Sequence, residues 1–342
     1  MNVLVSGGAG YIGSHACLSL LGAGHRVTIV DNLDLGHLGA VRALESVAGD
    51  RVRFERCDIL EGSRLEALMR EESIEVVMHF AALANVGDSV VEPLTYYRNN
   101  TAGAISLLEA CRAAGVERFV FSSTCATYGE PEPDRIPISE DCPQDPVNPY
   151  GRSKLMVEQI LADEARSAKD AGRNFAFAAL RYFNVAGADP ENRLGEDHVP
   201  ETHLLPICLQ VALGKRETIG IFGTDYPTPD GTCIRDYVHV TDLVNAHLMV
   251  MDALQPGDQR HYNIGIGRGY SVRECIDACR RVTGHPIPET AGPRRPGDPP
   301  ELTADASHIR QDLGFEARFT DLDEIIRTAW TWFKSHPEGY ED

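Results

Sequence analysis

The sequence predicts an α/β fold in which a doubly wound parallel sheet carries a second, smaller mixed α/β domain. In the first half, continuous apolar runs alternate with amphipathic stretches such as 105–114 and 155–166. Strands that are apolar throughout are typical of a parallel sheet with helices on both faces, joined by right-handed crossovers. The predicted strands are 2–6, 26–30, 52–55, 75–80, 118–122 and 175–180.

The second half of the chain is richer in proline and glycine than the first. These residues concentrate in 190–231 and 284–300, with helical patterns between them. A chain of 342 residues also exceeds one typical compact core. We therefore expect 1–183 to form the larger domain, with a returning segment near 233–250. The smaller domain is expected to cover 184–342, with its proline- and glycine-rich segments as ligand-facing loops.

Composition excludes several functional classes. A formal net charge of -19 argues against nucleic acid as a partner, because the phosphate backbone would be repelled over most of the surface. No apolar run approaches the roughly 20 residues that span a bilayer, so no membrane association is expected. The start of the chain lacks the features of a signal peptide, which makes the cytoplasm the expected compartment.

Cysteine and histidine spacing predicts no metal site. The nine cysteines form no Cys-x-x-Cys pair, and Cys275 and Cys279 suit one face of a helix. We interpret them as buried thiols rather than metal ligands. The twelve histidines are not expected to form a metal-binding cluster.

A glycine-rich turn follows the first predicted strand directly. Gly8, Gly10 and Gly13 fit Gly-x-Gly-x-x-Gly, and Gly7, Gly10 and Gly13 fit the variant Gly-x-x-Gly-x-x-Gly. Such glycines allow a tight turn and let the backbone approach a pyrophosphate at a helix N-terminus. A glycine turn that binds nothing is the alternative, but a strand before it and a helical stretch after it favour a Rossmann-type dinucleotide site.

Asp31 ends the second predicted strand and indicates which dinucleotide binds. A carboxylate there accepts hydrogen bonds from the adenosine ribose hydroxyls and repels a 2′-phosphate. Asn32 and Leu33 follow, so no arginine stands next to it in the sequence, and NAD is predicted rather than NADP. Asp58, after the third strand, is placed to reach the adenine edge, although a solvated loop aspartate fits its position nearly as well.

Tyr150 and Lys154 are the candidate proton-transfer pair. Pro149 suits a helix start, which would place the two side chains one turn apart on the same face. Tyrosine has an unperturbed pKa of about 10, too high for a base at neutral pH. A nearby ammonium and a cationic nicotinamide would both lower that pKa. Taken alone, such a pair lies more often on a surface, and only the glycine-rich turn makes the catalytic interpretation the better one.

The fifth predicted strand ends in three hydroxyl residues, Ser122, Ser123 and Thr124. Ligands bind beyond the carboxyl ends of the strands in this architecture. Thr124 is therefore expected to hydrogen-bond a substrate hydroxyl and to share its proton with Tyr150. A loop-capping role suits Ser122 and Ser123 better.

Taken together, these motifs identify a family resemblance. The chain resembles the extended short-chain dehydrogenase/reductase superfamily and, within it, the UDP-glucose 4-epimerases, almost from end to end. The matching segments are 7–15, 79–82, 150–154, 181–184, 221–227, 235–240 and 294–298. Seven matches in the same order across two domains form a highly specific pattern.

The resemblance implies an isomerase of galactose metabolism that keeps NAD bound throughout its cycle. Tyr150 would take the proton of the sugar 4-hydroxyl while hydride moves from C4 to the nicotinamide. The resulting 4-keto sugar would swing about its diphosphate link, and hydride would return to its other face. UDP-glucose and UDP-galactose are the expected substrate pair.

The resemblance also implies the residues of the site. Those expected at the cofactor are Gly7, Gly10, Tyr11, Ile12, Gly13, Asp31, Asn32, Asp58, Ile59, Phe80, Ala81, Asn99, Tyr150, Lys154 and Tyr182. Those expected at the substrate are Thr124, Asn184, His203, Arg235, Arg295, Asp298 and Leu302. Arg235 and Arg295 would pair with the diphosphate by forked hydrogen bonds, and Asp298 would bind the uridine ribose. Without the resemblance, each arginine is as readily a solvated surface charge.

Four positions depart from the best-known members of the family. Ala84 stands where many have a lysine near the nicotinamide ribose, and Thr124 replaces a serine. His203 stands where an asparagine often contacts substrate, and Leu302 where tyrosine or cysteine is common. The first departure bears on cofactor contacts, and the last two bear on sugar scope.

Several alternatives remain open on the sequence. A UDP-arabinose/UDP-xylose 4-epimerase is the nearest, since its members share the segment 122–129, and a UDP-N-acetylhexosamine 4-epimerase is less favoured. A 4,6-dehydratase needs an acidic pair where this chain has Cys125 and Ala126, and a non-catalytic NAD-binding regulator would not need Tyr150 and Lys154. The resemblance also implies a homodimer that pairs through helices at 105–114 and 155–166.

Overall fold

Seven parallel strands form the sheet at the centre of the larger part of the molecule. The computed structural model describes residues 1–295 and 298–341. The strands of this sheet are β1 (Asn2–Ser6), β2 (Arg26–Asp31), β3 (Val52–Arg56), β4 (Val76–His79), β5 (Arg118–Thr124), β6 (Ala176–Tyr182) and β10 (Gln259–Ile264). Their order is β10-β6-β5-β4-β1-β2-β3, and every neighbouring pair is parallel. The predicted doubly wound sheet is confirmed.

Helices cover both faces of this sheet. They are α1 (Tyr11–Gly22), α2 (Leu38–Ala48), α3 (Gly62–Glu71), α4 (Val86–Val91), α5 (Pro93–Tyr96), α6 (Gly103–Ala114), α7 (Pro149–Asp170) and α9 (Val240–Ala253). Val3 and Val5 of β1 belong to one apolar core with α1, α2 and α9, and Leu4 belongs to another with α3, α6 and α7. All three side chains are fully buried, which explains why the strand is apolar at successive positions.

The smaller part of the chain combines short strands with helices. Its elements are β7 (Asn184–Ala186), α8 (Leu204–Ala212), β8 (Ile219–Phe222), β9 (Ile234–His239), β11 (Gly269–Ser271), α10 (Val272–Thr283), β12 (Glu289–Gly292), β13 (Glu301–Leu302), α11 (Ser307–Leu313) and α12 (Leu322–Ser335). Strand β9 pairs with β7 and β13 in parallel and with β11 antiparallel, while β8 pairs with β12. The arrangement is mixed, as expected, and its apolar core draws on α8, α10 and α12.

The chain returns to the large sheet after β9. Helix α9 lies within the predicted returning segment apart from its last residues, but β10 at 259–264 was not predicted. Strand β10 occupies the edge of the sheet, and its first half is partly exposed and polar, so it lacks a continuous apolar signature. The domain division between 183 and 184 stays a prediction, and Asp342 lies outside the described residues. Among the described helices, none is apolar over a length that would cross a membrane.

Candidate active site

The predicted site residues gather at the carboxyl edge of the large sheet. The last residues of the central strands stand beside one another there: Ser6 is in register with His79, and Thr124 with Tyr182. Ser6 Oγ and His79 Nδ1 are 2.7 Å apart. Parallel sheets bind ligands beyond this edge, where loops and helix N-termini converge.

The glycine-rich turn is packed so closely that side chains would not fit. Gly7 has a positive φ of 76°, and a Cβ on it would lie 2.5 Å from the backbone N of Ala81. A Cβ on Gly13 would lie 2.1 Å from the carbonyl oxygen of Gly7. Gly10, which caps the N-terminus of α1, faces more open space, since its nearest such contact is 3.4 Å away. The turn therefore fits a pyrophosphate held against the first turn of α1.

Asp31 is fixed beside this turn by two backbone donors. Its Oδ2 accepts from Ala9 N at 3.0 Å and its Oδ1 from Leu33 N at 2.9 Å. Burial raises the pKa of the Asp31 carboxyl, and the two backbone hydrogen bonds oppose that rise. The carboxylate is thus positioned at the end of β2, where the adenosine ribose of a bound dinucleotide is expected.

The predicted adenine-side residues lie together beyond β2 and β3. Asn32 Nδ2 donates to Asp58 Oδ2 at 3.2 Å, and Gly103 lies against the Ile59 side chain. Arg56 is in register with Asp31, and its Nε lies 3.4 Å from the carbonyl oxygen of Asn32. The sequence argument for NAD considered only neighbours along the chain and so missed this arginine.

The remaining predicted cofactor residues border the same edge. Phe80 N and Ala81 N both donate to Ser6 O, at 2.9 and 3.0 Å, which holds this segment over the glycine turn. Tyr11 donates its hydroxyl to Gly187 O at 2.6 Å. Ile12 is partly buried against the core, and Asn99 Nδ2 donates to Asn100 Oδ1 at 3.0 Å in a π-helical turn. Their roles toward NAD stay predictions.

Helix α7 places the candidate proton-transfer pair. Asn148 caps its N-terminus by accepting from Gly151 N at 2.8 Å, and Pro149 occupies the first turn. Tyr150 and Lys154 therefore stand one turn apart on one face, as the spacing predicts. Tyr150 is partly buried, and Lys154 is 3% exposed.

Lys154 reaches from α7 back to β5. Its Nζ donates to the Ser122 carbonyl oxygen at 2.8 Å and lies 4.9 Å from the centre of the Phe121 ring. Burial lowers the pKa of Lys154 to about 7, although the carboxylate of Glu158 opposes that shift. An ammonium and a neutral amine are therefore close in free energy at this position near neutral pH.

In the chain without a bound cofactor, the pKa of Tyr150 is raised. The expectation of a lowered pKa is therefore wrong for this state. Burial is the main cause, Tyr182 adds to the rise, and a hydrogen bond with Thr124 opposes it. The sequence argument counted the nearby lysine but not the loss of water around the phenol. This interaction places the Thr124 hydroxyl close to the Tyr150 phenol, and the sharing of a proton between them stays a prediction.

A buried ionic network, not anticipated from the sequence, supports this pair. Glu158 lies one turn after Lys154 on α7, and its carboxylate accepts Arg181 Nε at 3.0 Å and Nη2 at 2.6 Å. Ser123 Oγ donates to the same carboxylate at 2.5 Å, and Arg181 Nη1 donates to the Tyr128 hydroxyl at 2.9 Å. The network joins α7 to β5 and β6. In the sequence, the four-residue spacing from Lys154 to Glu158 is the only local pattern that indicates this network.

On the substrate side, Arg235 and Asp298 are bound to each other. Arg235 Nη2 donates to Asp298 Oδ1, and its Nη1 donates to the carbonyl oxygen of Ile234 at 2.7 Å. Leu302 is in register with Arg235, and it packs against the same buried apolar cluster as Cys125, the residue after Thr124. Three predicted substrate residues thus lie together near the end of β5.

Two other predicted substrate residues lie on neighbouring elements. Asn184 begins β7 and is in register with Tyr237 of β9. The Arg295 guanidinium lies 3.9 Å from the centre of the Phe222 ring and forms no ion pair within the described part of the chain. Arg294 is paired with Asp225 at 2.7 Å, so the two adjacent arginines are in different environments.

His203, expected at the substrate, belongs to a group of four side chains. It stands at the N-terminus of α8, and its Nδ1 lies 2.8 Å from Glu201 and 3.2 Å from Glu196. His198 joins the same two carboxylates. The sequence did not reveal that these two histidines share a pair of carboxylates, and the expectation of no metal-binding histidine cluster is not tested by these contacts. The four side chains are spread over eight residues of a loop, where helical or strand spacing gives no signal, and only the alternation Glu-x-His-x-x-Glu-x-His marks them.

Comparison with known proteins reveals similarity over nearly the whole chain. A model of the NAD dependent epimerase/dehydratase family matches residues 3–265. The UDP-glucose 4-epimerase of Lacticaseibacillus casei is 49% identical and aligns over 100% of this chain and 99% of that protein. The probable UDP-arabinose 4-epimerase 1 of Oryza sativa subsp. japonica is 47% identical over 99% of this chain and 81% of that protein.

The fold of the chain is also similar to that of a solved structure over nearly its whole length. The UDP-glucose-4-epimerase from Stenotrophomonas maltophila was crystallised with bound NAD and formylated UDP-arabinopyranose. Its TM-score against this chain is 0.92, with 42% identity and 99% of each chain covered.

Proposed function

The chain belongs to the NAD dependent epimerase/dehydratase family, and we propose that it inverts C4 of a UDP-sugar, with UDP-glucose and UDP-galactose as the principal pair. It is an enzyme of the isomerase class, and NAD is its cofactor. The reaction passes through a transient 4-keto sugar and has no net redox change.

One observation carries this proposal. Tyr150, Lys154 and Thr124 meet at the same sheet edge as the glycine turn and Asp31, whose geometry fits a dinucleotide. A proton-transfer pair at the end of β5 and a cofactor cradle at the end of β1 are the two parts that reversible oxidation of an alcohol requires.

The protein residues move the proton and orient the sugar. Bound NAD would accept hydride from C4 and return it. Tyr150 takes the proton from the 4-hydroxyl oxygen and gives it back, and Thr124 hydrogen-bonds that hydroxyl. Because burial raises the pKa of Tyr150, the positive charge of oxidised nicotinamide is needed in addition to Lys154 to favour the phenolate. Arg235 and Arg295 are the proposed diphosphate ligands.

Elimination of water, the other activity in the family name, is disfavoured by Cys125 and Ala126. A 4,6-dehydratase needs acidic groups at this point after β5. Burial raises the pKa of the Cys125 thiol to about 12, so it is neither a carboxylic acid nor an available thiolate. Ala126 has no titratable group. The 4-keto sugar therefore has no acid–base partner here for loss of water.

A pentose pair, UDP-arabinose and UDP-xylose, is the second candidate. The rice relative at 47% identity is named a probable UDP-arabinose 4-epimerase, and the similar bacterial structure holds a formylated UDP-arabinopyranose. Both facts support acceptance of a pentose ring in this kind of site. A sugar lacking C6 makes fewer contacts and leaves the C4 chemistry unchanged.

Separate incubations of the purified protein with UDP-glucose, UDP-xylose and UDP-N-acetylglucosamine test the proposal. We expect UDP-galactose to form fastest, detected by chromatography of the nucleotide sugars. Faster conversion of UDP-xylose would make the pentose pair, rather than UDP-glucose and UDP-galactose, the principal substrates. No product from any of the three would refute the epimerase proposal and favour a regulator that only binds NAD.

We also propose a homodimer in the cytoplasm, with a role in galactose metabolism and no nucleic-acid partner. Ile105 of α6 and Met156 of α7 are apolar and each 40% exposed, which supports pairing through these helices. All nine cysteines are free thiols, as expected in a reducing compartment. Light scattering at micromolar concentration tests the dimer, and the mass of a single chain would contradict it.

A further inference from the structure

Four side chains of the segment between β7 and α8 converge on one point. They are Glu196, His198, Glu201 and His203, and one ligand atom of each lies within 4.8 Å of all the others. Both carboxylates are buried, whereas His198 is partly exposed and His203 is exposed. The cluster is separate from the Tyr150 and Lys154 pair. We propose that it binds one divalent transition-metal ion, for which Zn²⁺ is the best match.

The distances suit a tetrahedral ion. His198 Nδ1 lies 3.2 Å from Glu196 and 3.6 Å from Glu201. His203 Nδ1 lies 3.2 and 2.8 Å from the same two carboxylates. Bonds of about 2.0–2.1 Å to zinc separate tetrahedral ligand atoms by about 3.3 Å, which is close to these four values. The remaining separations are at most 4.8 Å.

One nitrogen in the cluster lacks a well-aligned hydrogen bond. His198 Nδ1 is buried and has no hydrogen-bond partner among the described residues, although it points at the two carboxylates. At 3.2 and 3.6 Å from those carboxylates it can form ion pairs when protonated, but neither contact is a well-aligned hydrogen bond. Coordination of an ion between the four side chains would satisfy its lone pair.

The charges in the cluster also favour a dication. Glu196 and Glu201 are 5% and 6% exposed, and the ion pairs of their carboxylates within the described residues are with these two histidines. Arg216 donates to the main-chain carbonyl of Glu201 at 3.3 Å and to the side chain of Gln210 at 2.6 Å. One Zn²⁺ would neutralise both carboxylates while the two imidazoles stay neutral. Without an ion, both imidazoles must be protonated to neutralise the carboxylates.

The ligand types select among metals. Two imidazoles and two carboxylates suit zinc and related transition metals, whereas Mg²⁺ and Ca²⁺ prefer sites built entirely from oxygen. With four protein ligands, the site would be closed. The ion would then stabilise the segment rather than activate water.

The position of the site connects two predicted ligand-binding regions. The ring of His198 meets the ring of Tyr11 edge-on, with centroids 6.3 Å apart, at the first turn of α1. His203 begins α8 and is a proposed substrate residue. If its Nδ1 binds the ion, its Nε2 must carry the proton and becomes a fixed donor toward the sugar. This last consequence rests on the proposed function, whereas the metal site itself does not.

Metal titration of the full chain tests the proposal without any turnover assay. Purified protein is stripped with a chelator and titrated with Co²⁺, whose visible absorption reports four-coordinate geometry, and then with Zn²⁺ in competition. We expect one equivalent of Co²⁺ per chain with a tetrahedral spectrum, displaced by one equivalent of Zn²⁺. Zinc should also raise the melting temperature in a concentration-dependent manner.

Matched variants locate the ion. His198→Gln and Glu201→Gln should weaken zinc binding by at least about 100-fold, because each removes one ligand of four. His285→Gln is the control, since His285 is exposed and outside the cluster, and it should bind zinc like the natural protein. A natural chain without stoichiometric metal would overturn the proposal, even if the variants fail to fold. So would unchanged zinc affinity in folded His198→Gln and Glu201→Gln.

Discussion

Arg181 of β6 forms a buried salt bridge with Glu158 on α7, in which Nη2 and Oε2 are 2.6 Å apart. Glu158 lies one turn beyond Lys154, so the ion pair anchors to the sheet the helix that carries the proposed proton-transfer pair. Removal of one partner leaves a buried charge without its counterion, which is far costlier than loss of an exposed pair.

Glu158→Gln should therefore destabilise the protein by about 3–5 kcal/mol, measured by urea denaturation. Glu66→Gln is the control, since it breaks an exposed pair with Arg70 on α3 and should change stability by at most about 0.5 kcal/mol. Equal effects of the two substitutions would show that the buried pair has no special role in holding α7.

Tyr150→Phe removes only the phenol oxygen. Turnover should fall by about two or more orders of magnitude, while folding and bound NAD are retained, because the ring and its packing remain. Released nucleotide and product formation are measured on the same preparation. Near-normal turnover would mean that another group transfers the proton.

The lowered pKa of Lys154 predicts a specific dependence of stability on pH. In the folded chain Lys154 loses its proton near pH 7, whereas in the unfolded chain it keeps the proton up to about pH 10.5. Between these values the unfolded state binds more protons, so this group adds stability as pH rises, by at most about 1.4 kcal/mol per pH unit. The gain is absent below pH 7.

Lys154→Met abolishes this titration and provides the measurement. The difference in unfolding free energy between the natural chain and Lys154→Met should shift in favour of the natural chain from pH 7 to pH 9. A difference that stays constant over this range would show that Lys154 has an ordinary pKa in the folded protein.

Asp31 and Arg56 together should control the choice between NAD and NADP. Asp31→Ser removes the carboxylate that repels a 2′-phosphate and leaves Arg56, its neighbour on β3, able to pair with one. We expect the ratio of the two dissociation constants to move toward NADP by about tenfold or more. Adding Arg56→Ala should reverse most of that change, and failure to do so would exclude Arg56 from the site.

Leu302 should set the acceptance of N-acetylated sugars. It lies in register with Arg235 and packs against the same buried cluster as Cys125, close to the proposed position of the sugar ring. Leu302→Tyr should lower activity on UDP-N-acetylglucosamine, and Leu302→Ser should raise it, by about 10- to 200-fold at most. Equal changes on the glucose and N-acetylglucosamine pairs would mean that Leu302 only contributes to packing.

The parts of the fold that follow local patterns could be predicted from the sequence. Residues 3–5 of β1 are buried on both faces and read as a continuous apolar run, and the helix start at Pro149 places Tyr150 and Lys154 on one face. Strand β10 has no such pattern because it lies at the sheet edge. The spacing of Tyr150 and Lys154 was available from the sequence, but their pKa shifts were not, since burial comes from the tertiary structure. Arg56 could not be predicted as a neighbour of Asp31, because the register between two strands, not proximity along the chain, places it there.

If Arg235 binds the diphosphate, as proposed, its pairing with Asp298 makes substrate entry an exchange of anions. Asp298 already accepts from Nη2 of the guanidinium that a diphosphate would take, while Nη1 donates to the carbonyl oxygen of Ile234. The arriving nucleotide replaces one negative partner by another, so the net electrostatic gain is smaller than for an unpaired arginine. Product departure is assisted in the same way, since the carboxylate returns as the diphosphate leaves. Such an arrangement suits an isomerase whose substrate and product differ at a single carbon, because neither may be held too tightly.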